Sequence, residues 1–128
     1  MRLHKSGEDY LEAILIPEQK RGYVRSSDVA EQVNVTKPSV TNVTRLLKEG
    51  DFLTRDGDKQ IHLTELGVEV AASIYERHCV LTEGLIYLGV DPETAEQDAC
   101  RIEHDISRET FEKFKACWET IAKGERKL

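Results

Sequence analysis

"SSDVAEQVNVTKPSVTNVTRLLKEG", residues 26–50, decides the fold. It contains two apolar repeats at helical spacing, broken by only a few residues. Ser26 or Ser27 can cap a short helix with Val29, Ala30 and Val33 on one side. Thr36 can cap the next, Pro38 suits its first turn, Val40, Val43, Leu46 and Leu47 recur at three and four, and Gly50 closes it. Two short helices meeting across "NVTK" make a helix-turn-helix.

Downstream, "FLTRDGDKQIHLT" (52–64) holds two short apolar runs around Asp56-Gly57, a pair that tolerates positive φ and so predicts a hairpin. Upstream, "GEDYLEAILI" (7–16) places Tyr10, Leu11, Ile14 and Leu15 at helical spacing, and Pro17 is expected to stop or kink that helix. Thr64 can cap a long helix through residues 65–90, interrupted or ended near Gly84 to Gly89. Asp91-Pro92 opens another helix over 92–106, and Ser107 caps a last one over 108–124. The expected fold is mainly α: a winged helix-turn-helix in residues 1–64, then an all-helical dimerisation lobe in residues 65–128.

Composition narrows the class. A chain of 128 residues, 39% of them hydrophobic, can bury a core without disulfide staples. Three cysteines at irregular spacing (Cys79, Cys100, Cys117) behind the polar start "MRLHKSGEDY" read as reduced thiols in a cytoplasmic protein. The longest apolar runs fall far short of the roughly 20 residues of a bilayer span, so no membrane role is expected. The net charge of −6 argues against a polyanion partner until its distribution is considered. Residues 20–59 carry eight Lys or Arg against six Asp or Glu, leaving the −8 to the rest of the chain. One segment is suited to meet a polyanion, the remainder to gather cations.

The exposed side of the helix after "NVTK" would carry Lys37, Ser39, Thr41, Asn42 and Arg45, which are cations and short hydrogen-bonding groups suited to phosphates and base edges. Arg55 and Lys59 of the hairpin could add backbone contacts, as could Lys20, Arg21 and Arg25. On spacing alone these groups read equally as the solvated face of a small helical domain; the adjoining hairpin favours double-stranded DNA as the expected partner.

The other constellation is "DACRIEHDIS" (98–107). Cys100, Glu103 and His104 stand at i, i+3 and i+4, on one face of a helix. Thiolate, carboxylate and imidazole together suit a first-row transition ion rather than an all-oxygen magnesium site or a four-thiolate zinc site. Asp9 and Glu12 form a second one-face pair, and His78 lies on the long helix. Each alone reads equally as an ordinary solvated or packed side chain, and spacing does not say whether they converge.

The motifs "GEDYLEAI", "GYVRSSDVAEQVNVTKPSVTNVTRLLKEG", "LTELG", "YERH" and "CRIEH" resemble the diphtheria toxin repressor family, in particular its short manganese-transport-regulator branch. The resemblance covers nearly the whole chain. It implies a homodimeric repressor of divalent-metal uptake genes, activated by Mn(II) or Fe(II), without the SH3-like domain of the longer branch. Carried over by position, the primary metal site falls on Asp9, Cys100, Glu103 and His104, and a second site draws on Glu12 and His78 with Glu103 shared. The sequence departs from both branches. The manganese regulators usually have Glu, which bridges two ions, where this chain has Cys100; the iron regulators have Cys there but Met in place of Asp9. The iron branch's other ancillary ligands fall on Thr82 and Glu96.

Two other readings compete. One is a winged-helix regulator responding to a small organic ligand or to thiol oxidation, with Cys79 or Cys100 as sensor. The other is an enzyme using Cys100 as nucleophile and His104 as base, but no oxyanion device, phosphate loop or substrate-pocket motif accompanies them. The chain is therefore read as a regulator, not an enzyme.

Overall fold

A computed structural model describes the backbone of residues 5–127. The opening residues, read above for the lack of an apolar leader, begin outside that range. Six helices and one two-stranded sheet follow in the order α1 (Lys5–Arg21), α2 (Ser26–Val33), α3 (Lys37–Glu49), β1 (Leu53–Arg55), β2 (Ile61–Leu63), α4 (Glu65–Tyr87), α5 (Pro92–Asp105) and α6 (Arg108–Lys127). Two compact units divide between Ser73 and Ile74, inside α4.

In the first unit the apolar side of α1 (Tyr10, Leu11, Ile14, Leu15) packs in one core with Val29 of α2, Val40 and Leu47 of α3, Leu53 and Ile61 of the wing, and Ala71 of α4. Pro17 does not stop α1, which runs on to Arg21. Proline's φ is helical, so its cost is the lost bond to the Ala13 carbonyl. Glu18, one residue on, offsets it by accepting the Leu63 N–H at 3.0 Å and so tying the last turn to β2. The helix ends instead at Gly22, in the left-handed region with φ 81°.

α2 is capped differently from expectation. Arg25 is its N-cap, and the Asp28 carboxylate reaches back to accept the Arg25 N–H at 3.0 Å. That backbone bond, with the Arg21 guanidinium at 3.0 Å, holds the Asp28 carboxyl below its usual range. Ser26 is left to receive a bond from the wing. Asn34 in the left-handed region (φ 61°) ends α2, and Thr36 caps α3, its hydroxyl accepting from the Ser39 N–H at 3.4 Å. On α3, Val40 and Leu47 are buried as expected, but Leu46 is 48% exposed and Thr44 takes the inward position. The hydroxyl costs little there because it donates to the Val40 carbonyl at 2.7 Å.

The wing pairs antiparallel in the register Leu53↔Leu63, Thr54↔His62, Arg55↔Ile61. Its turn spans five residues, and the positive φ falls on Lys59 (62°), not on the Asp56-Gly57 pair. Asp56 supplies the reason: its carboxylate accepts the N–H groups of Asp58 (2.9 Å) and Gln60 (3.0 Å), a side-chain-organised turn that leaves Lys59 to reverse the chain. Val24 extends the sheet by one bridge, its carbonyl accepting the Ile61 N–H at 2.7 Å.

In the second unit Ile74 and Leu81 of α4, Ala95 and Ala99 of α5 and Phe111 of α6 are buried. Gly84 does not interrupt α4; a β-carbon there would stand 2.7 Å from the Phe114 ring, so glycine is what lets α6 close on α4. Arg77 stacks on Phe111 at 5.4 Å and donates to the carbonyls of Glu103 (3.1 Å) and Ile106 (2.9 Å), satisfying the C-terminal end of α5. Asp91 and Ser107 cap α5 and α6, the Asp91 carboxylate accepting from Glu93 and Thr94 and the Ser107 hydroxyl from the Thr110 N–H. No helix among the described residues is long and apolar enough to cross a membrane.

Candidate metal centre and nucleic-acid interface

The second unit brings two helices' donors together. On α4, His78 projects from "YERH"; on α5, the i, i+3, i+4 spacing puts Cys100, Glu103 and His104 on adjoining positions of one face. Oε2 of Glu103 lies 2.9 Å from Nδ1 of His78, and Sγ of Cys100 lies 3.7 Å from the same nitrogen. These three donor atoms fall within 4.8 Å of one another. The second carboxylate oxygen, Oε1, stands 3.3 Å from Nε2 of His104. Glu103 is 1% exposed, so its carboxylate is withdrawn from water, hydrogen-bonded to His78 on one oxygen and within 3.3 Å of the His104 ring on the other.

A buried carboxylate costs several kcal/mol unless positive charge or strong donors face it. Two histidines meet that need in part. A divalent ion meets it fully, and the nitrogen, oxygen and sulfur donors are those of a transition-metal site. The residues present fit such an ion. Thr82 is turned away from ligation in this structure, its hydroxyl donating to the His78 carbonyl at 2.7 Å, and Glu96 is exposed. Asp9 and Glu12 belong to α1 of the first unit, one turn apart and both half-buried.

On α3, Lys37, Ser39, Thr41, Asn42 and Arg45 are all exposed. Several are ordered by local bonds. Arg45 donates to Asn42 at 2.8 Å and pairs with Glu49 at 3.2 Å, while the Thr41 hydroxyl donates to the Lys37 carbonyl at 3.1 Å. Lys59 lies exposed at the wing turn. Arg55, by contrast, turns inward: its guanidinium donates to the hydroxyls of Ser26 (2.7 Å) and Thr44 (3.2 Å), joining wing, α2 and α3. The exposed basic groups Lys20, Arg21 and Arg25 flank α2, with Arg21 and Arg25 stacked on Tyr23 at 4.8 and 5.7 Å.

The residue pattern did not reveal Glu18 and His62. The His62 ring bonds Glu18 through Nδ1 (3.1 Å) and Asp56 through Nε2 (2.8 Å), fixing the wing to α1. The hydrogen bond to Asp56 leads in holding the imidazole above its usual range, with Glu18 adding to it. The partners lie 44 residues apart, and no local pattern connects them.

Two family descriptions match successive parts of the chain, parting just before α4. Residues 2–60 match the family described as "Iron dependent repressor, N-terminal DNA binding domain", and residues 64–124 match "Iron dependent repressor, metal binding and dimerisation domain". An uncharacterized HTH-type transcriptional regulator of Methanocaldococcus jannaschii is 32% identical over 88% of this chain and 92% of its own length. The HTH-type transcriptional regulator MntR of Listeria monocytogenes is 32% identical over 85% of this chain and 77% of its own. The solved structure of the metal-dependent transcriptional regulator MtsR has the same fold, with a TM-score of 0.81 at 24% identity; it covers 88% of this chain, which spans 53% of that one. Helix-turn-helix, wing and buried donor cluster thus stand where two consecutive domains of one regulator family are matched, and the chain belongs to the iron-dependent repressor family.

Proposed function

We propose that this chain is a cytoplasmic, homodimeric repressor of divalent-metal uptake genes that binds its double-stranded operator when Mn(II) or Fe(II) is held by the second unit. The observation that carries the metal part is the Glu103 carboxylate, 1% exposed and flanked by His78 and His104. When bound, the ion supplies positive charge to the buried Glu103 carboxylate.

The chain's own residues do the rest. Glu103, His78, His104 and Cys100 are the proposed ligands of the helical unit. Asp9 and Glu12 are the proposed ligands from α1, and recruiting them couples ion binding to the DNA-binding unit. The coupling need only favour a DNA-competent population, and a few kcal/mol of differential metal affinity is enough. Lys37, Ser39, Thr41, Asn42 and Arg45 are proposed to enter the major groove and Lys59 to contact a phosphate, with Arg55 in our reading supporting the wing from within. A two-fold dimer would present its recognition helices about 34 Å apart, one helical turn of DNA.

We infer that the dimer surface draws on the segment at the end of α4 rather than on Ala95 and Ala99 of α5, which are already buried within the single chain. Ile86, Tyr87 and Leu88 at the end of α4 remain exposed, Leu88 at 76%.

The test is operator binding followed by mobility shift on a metal-uptake promoter, with Mn(II), with Fe(II) and after chelation. Equal affinity after thorough chelation sinks the switch. Asp9→Ala separates it from a regulator that senses an organic ligand or oxidant, since only a metal switch requires that carboxylate. Circular dichroism of the chelated protein separates a switch, which stays folded, from a structural staple, which does not.

A further inference from the structure

Resting on the operator-binding reading above, we propose that His62 positions the wing for DNA. Its imidazolium ties the wing turn that presents Lys59 to α1, so operator binding takes up a proton at His62.

All the groups concerned lie in the first unit. Nδ1 of His62 stands 3.1 Å from Oε2 of Glu18 on α1, and Nε2 stands 2.8 Å from Oδ2 of Asp56 in the wing turn. Each carboxylate also holds backbone with its other oxygen. Glu18 accepts the Leu63 N–H through Oε1 at 3.0 Å, and Asp56 accepts the Asp58 and Gln60 N–H groups through Oδ1 at 2.9 and 3.0 Å. Asp56 thereby sets the turn in which Lys59 takes its φ of 62°. The His62 ring joins these two fixed points, one on the helix and one beside the tip.

The join depends on the proton. An imidazolium donates from both nitrogens, whereas a neutral ring donates from one and turns a lone pair toward the other carboxylate. Whichever tautomer forms, the link from α1 through the ring to the turn is cut at one end. A loosened tip has to be ordered again when Lys59 meets a phosphate, and that ordering weakens binding. Deprotonation also removes a positive charge from an element that faces a polyanion. Both effects have the same sign: affinity falls as pH rises.

Among the described residues, Asp56 and Glu18 are the titratable groups acting on the ring, and Thr54, opposite it on β1, carries no charge. Their hydrogen bonds, that of Asp56 first, hold the imidazole above its usual 6.5, so the change falls above that value. The His62 side chain is 33% exposed and can exchange its proton with solvent in the folded state. A metal switch by itself predicts the opposite slope, because an ion displaces protons from its ligands and binds more tightly as pH rises.

Fluorescence anisotropy of a labelled metal-uptake promoter duplex tests the assignment, with Mn(II) saturating, oxygen excluded and ionic strength fixed, from about pH 6 to 8.5. Wild-type affinity should fall about tenfold across the range, the equivalent of half a pKa unit at each His62 of a dimer. His62→Gln should bind weakly throughout with little slope. His62→Arg, which keeps the charge and can donate to both sides, should retain tight binding to the top of the range. Circular dichroism checks that each variant is folded. Proton NMR of the wild type needs no substitution: the His62 pKa should be higher with the duplex bound than without it. An equal His62 pKa in the two states, a wild-type affinity that is flat or rises with pH, or a wild-type slope in His62→Gln overturns the inference and leaves metal-dependent binding intact. If the duplex is bound at no pH, with or without metal, both this inference and the proposed function fall.

Discussion

His62 stands between two carboxylates, its Nδ1 3.1 Å from Glu18 and its Nε2 2.8 Å from Asp56. A neutral imidazole has one N–H and can donate to only one of them. Full satisfaction requires the protonated ring. The raised His62 pKa therefore marks stability that is complete below the usual value of 6.5 and is lost as pH climbs through the higher folded value. Asp56, lowered by the same bond, adds stability above its usual 3.8 that is lost as pH falls through its depressed folded value. The wing should be clamped most firmly between about pH 4 and 6.5. Urea unfolding of wild type and His62→Gln across pH 4–9 should show a stability gap that narrows above that window. Parallel curves would refute the clamp.

Glu103→Gln keeps the shape of the buried side chain and removes its charge. We expect metal affinity to fall more than about 100-fold, beyond the cost of losing an outer-shell partner, with the helical content unchanged. Competition against a chelating dye measures it. A loss of only a few-fold would remove Glu103 from the ligand set.

Arg45 and Arg55 should separate into a DNA contact and a structural tie. Arg45 lies exposed and its ion pair with Glu49 is a surface pair, so Arg45→Ala should change stability by less than about 0.5 kcal/mol. It should weaken operator binding and lower the salt dependence by about one phosphate contact. Arg55→Ala breaks two bonds of a cation to Ser26 and Thr44 and should cost about 1–3 kcal/mol of stability. Thermal unfolding beside anisotropy titrations at two salt concentrations distinguishes them. If Arg55→Ala keeps full stability and loses only DNA affinity, the inward reading is wrong.

Gly67 and Gly57 offer a second contrast. A β-carbon at Gly67, in the first turn of α4, runs into the Phe52 carbonyl oxygen, whereas one at Gly57 meets nothing within 4 Å. Gly67→Ala should destabilise by about 1–3 kcal/mol despite alanine's better helix propensity. Gly57→Ala should be near neutral. Equal melting temperatures for the two variants would contradict the close approach of α4 to the strand.

Much of the architecture was legible because it is written locally. Thr36 before Pro38, Asp91 before Pro92 and Ser107 each announce a helix by a bond spanning two or three residues. The departures came where a distant partner outweighed the local signal. Pro17 looked like a stop until Glu18 was found bonded to Leu63, and Gly84 looked like a break until Phe114 was found against it. Asp56 organised the wing turn through its side chain and moved the positive φ to Lys59.

The sequence by itself determined the order of elements, the exposed face of α3 and the donor types of α5, since these follow from periodicity, caps and residue chemistry. Only the tertiary structure decided that Arg55 points inward, that His62 joins α1 to the wing, and that the Cys100 thiol meets His78 beside a fully buried Glu103. Side-chain spacing along a helix fixes which residues share its face. Which partner they meet depends on how a second helix packs against that face, over separations in sequence that no local pattern records.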